Sequence, residues 1–236
     1  MGARSDRPGP SGFRRVVGIF GEILVTAGLV LLLFVVWQLF WTDFLASRAQ
    51  AETRDELLLE WQLAPSNSDE IKTNIKTTEG EPFGLLYVPA LGDRAWDVPI
   101  VEGTEHSLLS QGVGHHEGTA LPGQVGNFAI AGHRTTYGAP FMGIAELEPG
   151  DQVIVETKYG WFVYELKNEK IISPNDGWVL DPVPGKPNAA PTQKLLTMYA
   201  CHPMYSAAQR YVWFGELVAE YPRSGGRPPE LQKGNG

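Results

Sequence analysis

The chain has 236 residues, of which 43% are hydrophobic and 19% are charged, and its formal net charge is −8. This length allows one compact domain of about 140 residues with flanking segments, and it excludes two large domains. An acidic chain offers no basic surface to a phosphate backbone, so we expect no nucleic-acid partner. The single cysteine excludes an internal disulfide and a multi-cysteine zinc site.

The first predicted element is a transmembrane helix at residues 16–41. Its one charge, Glu22, lies near the start, and the uncharged stretch from Ile23 to Trp41 would cover about 28 Å as a helix, close to the thickness of a bilayer's hydrocarbon core. The segment is preceded by four arginines, Arg4, Arg7, Arg14 and Arg15. By the positive-inside rule, residues 1–15 form a cytoplasmic tail of a single-pass membrane protein whose remaining chain is extracytoplasmic.

A cleaved signal peptide is the alternative interpretation of this segment. Ala49-Gln50-Ala51 fits a small-residue cleavage site. However, the apolar stretch is longer than the usual signal-peptide region of about 7–15 residues, and the cleavage site lies far beyond its end. We therefore favour the anchor.

Two flanking segments are predicted around the extracytoplasmic domain. Residues 42–81 should hold a short amphipathic helix that includes Leu57-Leu58-Leu59 and Trp61, followed from Pro65 by a flexible spacer with little to bury. Residues 223–236, which are rich in glycine, proline and charge, are predicted to be a disordered tail.

The domain itself, residues 82–222, is predicted to be mainly β, because short apolar runs alternate with turn signals. Only Phe141 to Leu147 suggests a helix, and residues 111–119 suggest an irregular bridge. A proline-rich loop of about 20 residues, 173–192, is long enough to expect a function for it. The predicted strands are Gly84–Val88, Val98–Val101, Phe128–Ala131, Gln152–Thr157, Trp161–Lys167, Leu195–Cys201 and Arg210–Glu220. Seven or more such strands fit a closed barrel or a sandwich.

Cys201 is the candidate nucleophile. A lone cysteine is more often a buried apolar residue than a reactive one, but this one ends a predicted strand and is followed by His202-Pro203, which indicates a rim position. Strand alternation places Thr197, Tyr199 and Cys201 on one face. A free thiol there could react with substrate.

A thiol nucleophile needs a base or a cationic partner. The candidates are His106, His115, His116, His133 and His202. His202 adjoins Cys201 and should point to the opposite face, whereas His133 ends another predicted strand after Gly132 and is better placed. His115 and His116 are more simply surface residues than metal ligands, because no second ligand cluster accompanies them.

Arg210 is the candidate for holding the substrate carbonyl. It opens the last strand nine residues after Cys201, so a short loop would return it to the same rim. Its guanidinium is permanently charged and presents a fixed fork of donors, which is the type of group that stabilises an oxyanion.

These residues together resemble the sortase family. Thr197-Met198-Tyr199-Ala200-Cys201 followed by Arg210 is similar to the sortase cysteine and arginine signature, and Ala129-Ile130-Ala131-Gly132-His133 is similar to the strand that carries the family histidine. The run from His133 to Phe141 and the Cys201-His202-Pro203 sequence look most like class E sortases of high-GC Gram-positive bacteria. Ala200 replaces the usual threonine, but its side chain should face away from Cys201.

The resemblance implies an eight-stranded β-barrel and a cysteine transpeptidase without cofactor or metal, with Cys201 as nucleophile, His133 as acid and base, and Arg210 as the substrate-holding cation. Its partners would be secreted proteins with a C-terminal LPXTG-like signal, LAXTG for class E. The acceptor would be an amine of a peptidoglycan precursor or a pilin. The alternatives are a membrane-tethered cysteine peptidase and a non-catalytic cell-wall assembly protein.

Overall fold

The structure, a computed structural model, describes residues 12–63 and 70–232. The first 11 residues of the predicted cytoplasmic tail, the start of the predicted spacer at residues 65–69 and residues 233–236 of the predicted tail lie outside the described residues. The chain divides into two units, residues 1–42 and residues 43–236.

The first unit consists of the apolar part of helix α1, Gly12–Leu63. The segment Gly12–Trp37 has a mean hydropathy of 2.6 over its most apolar window and exposes its side chains. By length and composition this segment could cross a membrane. It overlaps the span predicted at residues 16–41. The short amphipathic helix expected after the span is instead the continuation of α1 to Leu63.

The second unit is a closed eight-stranded barrel, so the expectation of a sortase-like barrel is confirmed. Its strands are β1 Pro82–Tyr87, β2 Val98–Glu102, β3 Val113–His115, β4 Gly126–Ala131, β5 Gln152–Thr157, β6 Gly160–Ile172, β7 Lys194–His202 and β8 Gln209–Pro222. The strands pair in the order β1-β2-β3-β4-β7-β8-β6-β5. Two helices of four residues each complete the unit, α2 His106–Leu109 and α3 Pro229–Gln232.

Alternating side chains of these strands fill the barrel. The interior holds, among others, Phe128, Met198 and Trp213, which are almost fully buried. Burying such side chains stabilises each by about 1.5–3 kcal/mol relative to leaving it exposed. A second cluster on the outside of the barrel joins Leu57 and Trp61 of α1 to residues of β1, β5 and β6.

The predicted helix from Phe141 to Leu147 is a series of turns in the structure. The spacing of Phe141, Ile144 and Leu147 resembles a helical face, and all three are buried in the barrel core. A run of turns can also point these side chains to one side, so the helical prediction was wrong. The irregular bridge predicted at residues 111–119 contains the short strand β3.

The flanks of the barrel are more ordered than predicted. In the described part of the spacer, residues 70–81, Ile71 and Ile75 pack against the barrel core, so apolar burial holds this segment in place. At the other end, Leu231 of α3 is buried, and Arg223 forms an ion pair of 2.8 Å with Glu156. The expectation of disorder therefore does not hold for residues 223–232.

Candidate active site

The nucleophile candidate lies near the end of the middle strand of three. The barrel order places β7 between β4 and β8. Leu196, Met198 and Ala200 of β7 point into the core, and Cys201, on the alternate face, is partly exposed. Ala200 therefore faces away from the thiol, as its position in the strand predicts.

Arg210 is the register partner of Cys201. β7 and β8 are antiparallel, and the two residues lie directly opposite each other. Cross-strand partners project on the same face, with Cβ atoms about 4.5–5.5 Å apart. Arg210 Nη1 donates to the carbonyl oxygens of Ala207 and Gln209, each at 2.9 Å. Within the described residues, Arg210 forms no ion pair with a carboxylate.

His133 reaches the same edge from the other side of β7. β4 and β7 are parallel, with Ala131 opposite Tyr199, and the amide of Gly132 donates to the Tyr199 carbonyl oxygen at 3.1 Å. β4 ends at Ala131 and β7 ends at His202, so His133 lies two residues beyond its strand. Because the two strands are parallel, His133 leaves the sheet at the same end of the barrel as Cys201.

Burial makes the imidazole of His133 harder to protonate. Desolvation lowers its pKa below the ordinary value, and the nearby His106 adds a smaller effect in the same direction. Its Nε2 atom is buried and forms no hydrogen bond with any residue that the structure describes. This nitrogen is therefore closed off from solvent with its hydrogen-bonding capacity unused by the described residues.

His202 is occupied elsewhere. Its Nδ1 atom lies 2.8 Å from Nη1 of Arg134, a guanidinium that is almost fully buried. Because arginine only donates, Nδ1 of His202 accepts this hydrogen bond. The same Nη1 lies 3.4 Å from the carbonyl oxygen of Cys201. Arg134 was not among the predicted site residues. Its position next to His133 in the sequence was the one local feature that could have pointed to it.

His115 and His116 have separate places in the fold. His115 is buried, and its Nδ1 atom donates to Glu102 Oε2 at 2.7 Å. His116 is hydrogen-bonded to the hydroxyl of Tyr199, on whose ring it stacks. Burial raises the pKa of Tyr199 to about 12, so the phenol stays protonated. Tyr199 lies on the outer face of β7, two residues before Cys201, and His116 reaches it from the end of β3.

The loop between β6 and β7 covers this outer face. It contains a short 3₁₀ helix, Gly177–Leu180, whose Val179 packs on Val212. Asn127 Nδ2 donates to the carbonyl oxygen of Val179 at 2.8 Å, and its Oδ1 accepts from Thr197 Oγ1 at 2.8 Å. These buried hydrogen bonds hold the loop against β4 and β7.

A cleft of about 430 Å³ opens under the same loop, lined in part by Lys170, Trp178, Leu195 and Phe214. Leu195 is six residues before Cys201, which corresponds to about 20 Å along a strand. The cleft is thus separate from the cysteine and lies on the same outer face.

Comparison with known proteins agrees with this geometry. The model of the sortase domain family matches residues 86–218. Sortase SrtE1 of Streptomyces coelicolor is 36% identical over 239 residues, which are 97% of this chain and 64% of that protein. This chain thus spans less than two thirds of that relative's length. Sortase SrtE2 of the same organism is 33% identical, and the match covers 91% of this chain and 87% of that protein.

A solved structure is also similar. The crystal structure of sortase E1 from Streptomyces coelicolor with a tripeptide in the active site aligns with a TM-score of 0.58 and 38% identity. The alignment covers 66% of this chain and 99% of that one. The family model alone covers more than half of the sequence. The chain therefore belongs to the sortase family.

Proposed function

We propose that this protein is a membrane-anchored transpeptidase that cuts a C-terminal sorting signal between threonine and glycine and joins the protein to a cell-wall amine. The observation that carries the proposal is the order of three neighbouring strands. β7 presents Cys201, and β4 and β8 bring His133 and Arg210 to the same edge on either side of it. Nucleophile, proton carrier and cation can then reach one bound peptide bond.

In the first half of the reaction, His133 takes the proton of the Cys201 thiol, which gives an imidazolium and a thiolate, and Cys201 Sγ attacks the threonine carbonyl carbon of the signal. The Arg210 fork donates to the carbonyl oxygen as negative charge develops there. When the bond to the glycine nitrogen breaks, His133 gives its proton to the departing amine, and a thioester with Cys201 remains.

In the second half, an acceptor amine attacks the thioester carbon and loses a proton to His133, and Cys201 leaves as the thiolate. The imidazolium and thiolate that started the cycle are thereby restored. The acceptor is an amine of a peptidoglycan precursor or of a pilin. We assign the signal to the LAXTG type, on the resemblance of the motifs to class E sortases.

The anchor fits this chemistry. Secreted donor proteins and lipid-linked acceptors are both held at the outer membrane surface. A tether at the same surface raises the effective concentration of enzyme and substrate. The loop between β6 and β7 packs on the outer face of β7 and β8 beside Tyr199 and Val212, and we propose that it reads the signal.

A transfer assay with the full chain in detergent tests the proposal. An LAXTG peptide with a fluorophore and a quencher is incubated with and without triglycine. The parent protein should give a transfer product with triglycine, and Cys201→Ala should give none. His133→Ala should lose at least as much activity as His202→Ala, its matched control.

Three results would contradict the proposal. Hydrolysis alone, even at high triglycine, would indicate a cysteine peptidase. Failure of a thiol-reactive substrate analogue to label Cys201 would favour a non-catalytic assembly protein. Transfer by Cys201→Ala would remove the assignment of the nucleophile.

A further inference from the structure

The ring of His133 is held by two other rings. The centroid of His106 lies 5.2 Å away in an edge-on contact, and that of Tyr137 lies 4.9 Å away at a tilt. His106 and Tyr137 also pack edge-on against each other, at 5.4 Å. In many enzymes a third polar group orients the catalytic base by a hydrogen bond. Here, packing by two aromatic side chains does so.

Both rings stand on short, irregular segments. His106 opens α2, which has only four residues. Tyr137 belongs to a turn in which Tyr137, Gly138 and Ala139 have φ angles of 55°, 77° and 44°. A left-handed backbone is strained at a residue other than glycine. Such a turn persists only where surrounding contacts hold it.

One side chain contacts the backbone of both segments. Gln50 Nε2 lies 3.1 Å from the carbonyl oxygen of Tyr137 and 3.4 Å from that of Ser110, the residue that caps the end of α2. An amide NH₂ group has two hydrogens, so Gln50 can donate to both oxygens together. It links the segment of His106 to that of Tyr137.

The part of α1 that presents Gln50 is docked on the barrel. One turn further along, Arg54 forms an ion pair of 3.3 Å with Asp97. Leu57 and Trp61 are 4% exposed and pack on the outer face of the barrel. These contacts lie within the second unit. They fix the position of Gln50 relative to the two short segments that it contacts.

We propose that Gln50 is a positioning residue for His133: the membrane-proximal part of α1 sets the catalytic imidazole by holding the two segments whose rings pack on it. The inference rests on the proposed role of His133 in proton transfer. It makes the stretch between the membrane span and the barrel a part of the catalytic apparatus. A chain without this stretch would keep Cys201, His133 and Arg210 but would lose the alignment of the His133 ring.

The groups that titrate around His133 are few. Among the described residues, His106 and Tyr137 pack on its ring from the two segments, and Cys201 lies near the end of the neighbouring strand β7. The neighbouring Arg134 turns its charge to His202. If the two rings loosen, water reaches the imidazole, desolvation decreases, and the pKa of His133 moves up toward its ordinary value.

The test uses the full chain in detergent micelles. Gln50→Ala removes the amide, and Gln50→Glu keeps its shape but cannot donate to a carbonyl. Both should lower kcat about threefold to tenfold, the range expected for losing hydrogen bonds of this kind, with KM changed less than twofold. Labelled-histidine NMR should show the pKa of His133 raised in both. Gln62→Ala, the same change at an exposed position of α1, should match the parent.

The outcomes separate this inference from the proposed function. Parental kcat and His133 titration in both Gln50 variants would overturn the inference, even if their melting temperatures fell. A positioning role would then be absent while the proposed function stood. Full activity of His133→Ala would instead overturn the proposed function, and the inference with it.

Discussion

Cys201, His133 and Arg210 lie at one edge of the barrel because strand alternation and register act together. In β7 every second side chain leaves the core, and Cys201 is one of these. A shift of one residue between β7 and β8 would turn Arg210 to the other face. Of the two histidines weighed as the base, His202 receives a hydrogen bond from Arg134, and Nε2 of His133 is buried without a hydrogen bond to a described residue.

Replacing His106 with asparagine should raise the pKa of His133. The change removes a positive charge that forms beside His133 when His106 is protonated, and this charge disfavours a second one. NMR titration should show the rise. The limb of the pH–rate profile that His133 sets should move to higher pH in the same direction. An unchanged titration would contradict the contact between the two rings, and Gln111→Ala serves as a control at the end of the same segment.

Replacing Arg210 with lysine should lower kcat/KM about tenfold to a hundredfold. Arginine can donate through Nη1 to the carbonyl oxygens of Ala207 and Gln209 and still offer its other nitrogens to a substrate carbonyl oxygen. Lysine keeps the charge but has no planar fork of donors. Steady-state kinetics with the LAXTG peptide measure the effect. Arg94→Lys, at an exposed position away from β7 and β8, is the control. Near-parental turnover of Arg210→Lys would argue against a role in holding the substrate.

At the scale of elements, the loop between β6 and β7 is an irregular segment packed on the outer face of the barrel. It contains five prolines, which restrict the unfolded chain. Backbone hydrogen bonds within the loop, such as the one from the Gly185 amide to the Trp178 carbonyl oxygen, shape its turns. Side chains of the neighbouring strands attach it to the barrel. Asn127 serves both the loop and Thr197 from a buried position in β4.

Asn127→Ala should loosen this loop. It removes the donor to the carbonyl oxygens of Val179 and Asp181 and the acceptor of the Thr197 hydroxyl, which keeps a 3.2 Å hydrogen bond to Val179. Losing hydrogen bonds of this kind costs about 0.5–1.5 kcal/mol each. We expect a lower melting temperature and a severalfold rise in KM for the LAXTG peptide, with a smaller change in kcat. Asn168→Ala, at an exposed position of β6, is the matched control. An unchanged KM would show that the loop does not contact the signal.

At the scale of the whole molecule, the apolar helix and the barrel have different proposed roles. The segment Gly12–Trp37 is long and apolar enough to cross a bilayer, and the barrel contains the proposed site residues Cys201, His133 and Arg210. In the alternative interpretation, cleavage of a signal peptide after Ala49-Gln50-Ala51 would remove Gln50 and its hydrogen bond to the Tyr137 carbonyl oxygen. An anchor that is kept preserves this contact.

The proposed orientation can be tested in intact cells. In a Cys201→Ala background, a cysteine is introduced by Ser5→Cys or by Ser107→Cys, one on each side of the predicted span. A membrane-impermeant maleimide should label the protein with Ser107→Cys in intact cells. It should label that with Ser5→Cys only after lysis, because four arginines favour a cytoplasmic N-terminus. The opposite pattern would reverse the topology, and absence of residue 5 from the mature protein would indicate cleavage.

Most strands could be predicted because their signals are local. Runs such as Gln152–Thr157 are apolar, rich in β-branched residues and bounded by turns. β3 was missed because it has three residues and its middle one, Gly114, has no side chain to carry a pattern. Gly114 allows a close approach, since a Cβ there would lie 2.3 Å from the carbonyl oxygen of Gly103.

The sequence by itself determined the apolar span, the β-rich domain and the identities of Cys201, His133 and Arg210 as candidates, because hydropathy, alternation and motif spacing are properties of neighbouring residues. Only the tertiary structure decided which groups surround them. Gln50 and Tyr137 are 87 residues apart, and the signal for a spacer at residues 70–81 contained no mark of the barrel against which Ile71 and Ile75 pack. Such contacts form only when the barrel closes and a helix distant in sequence packs on its surface. No local sequence pattern therefore predicts them.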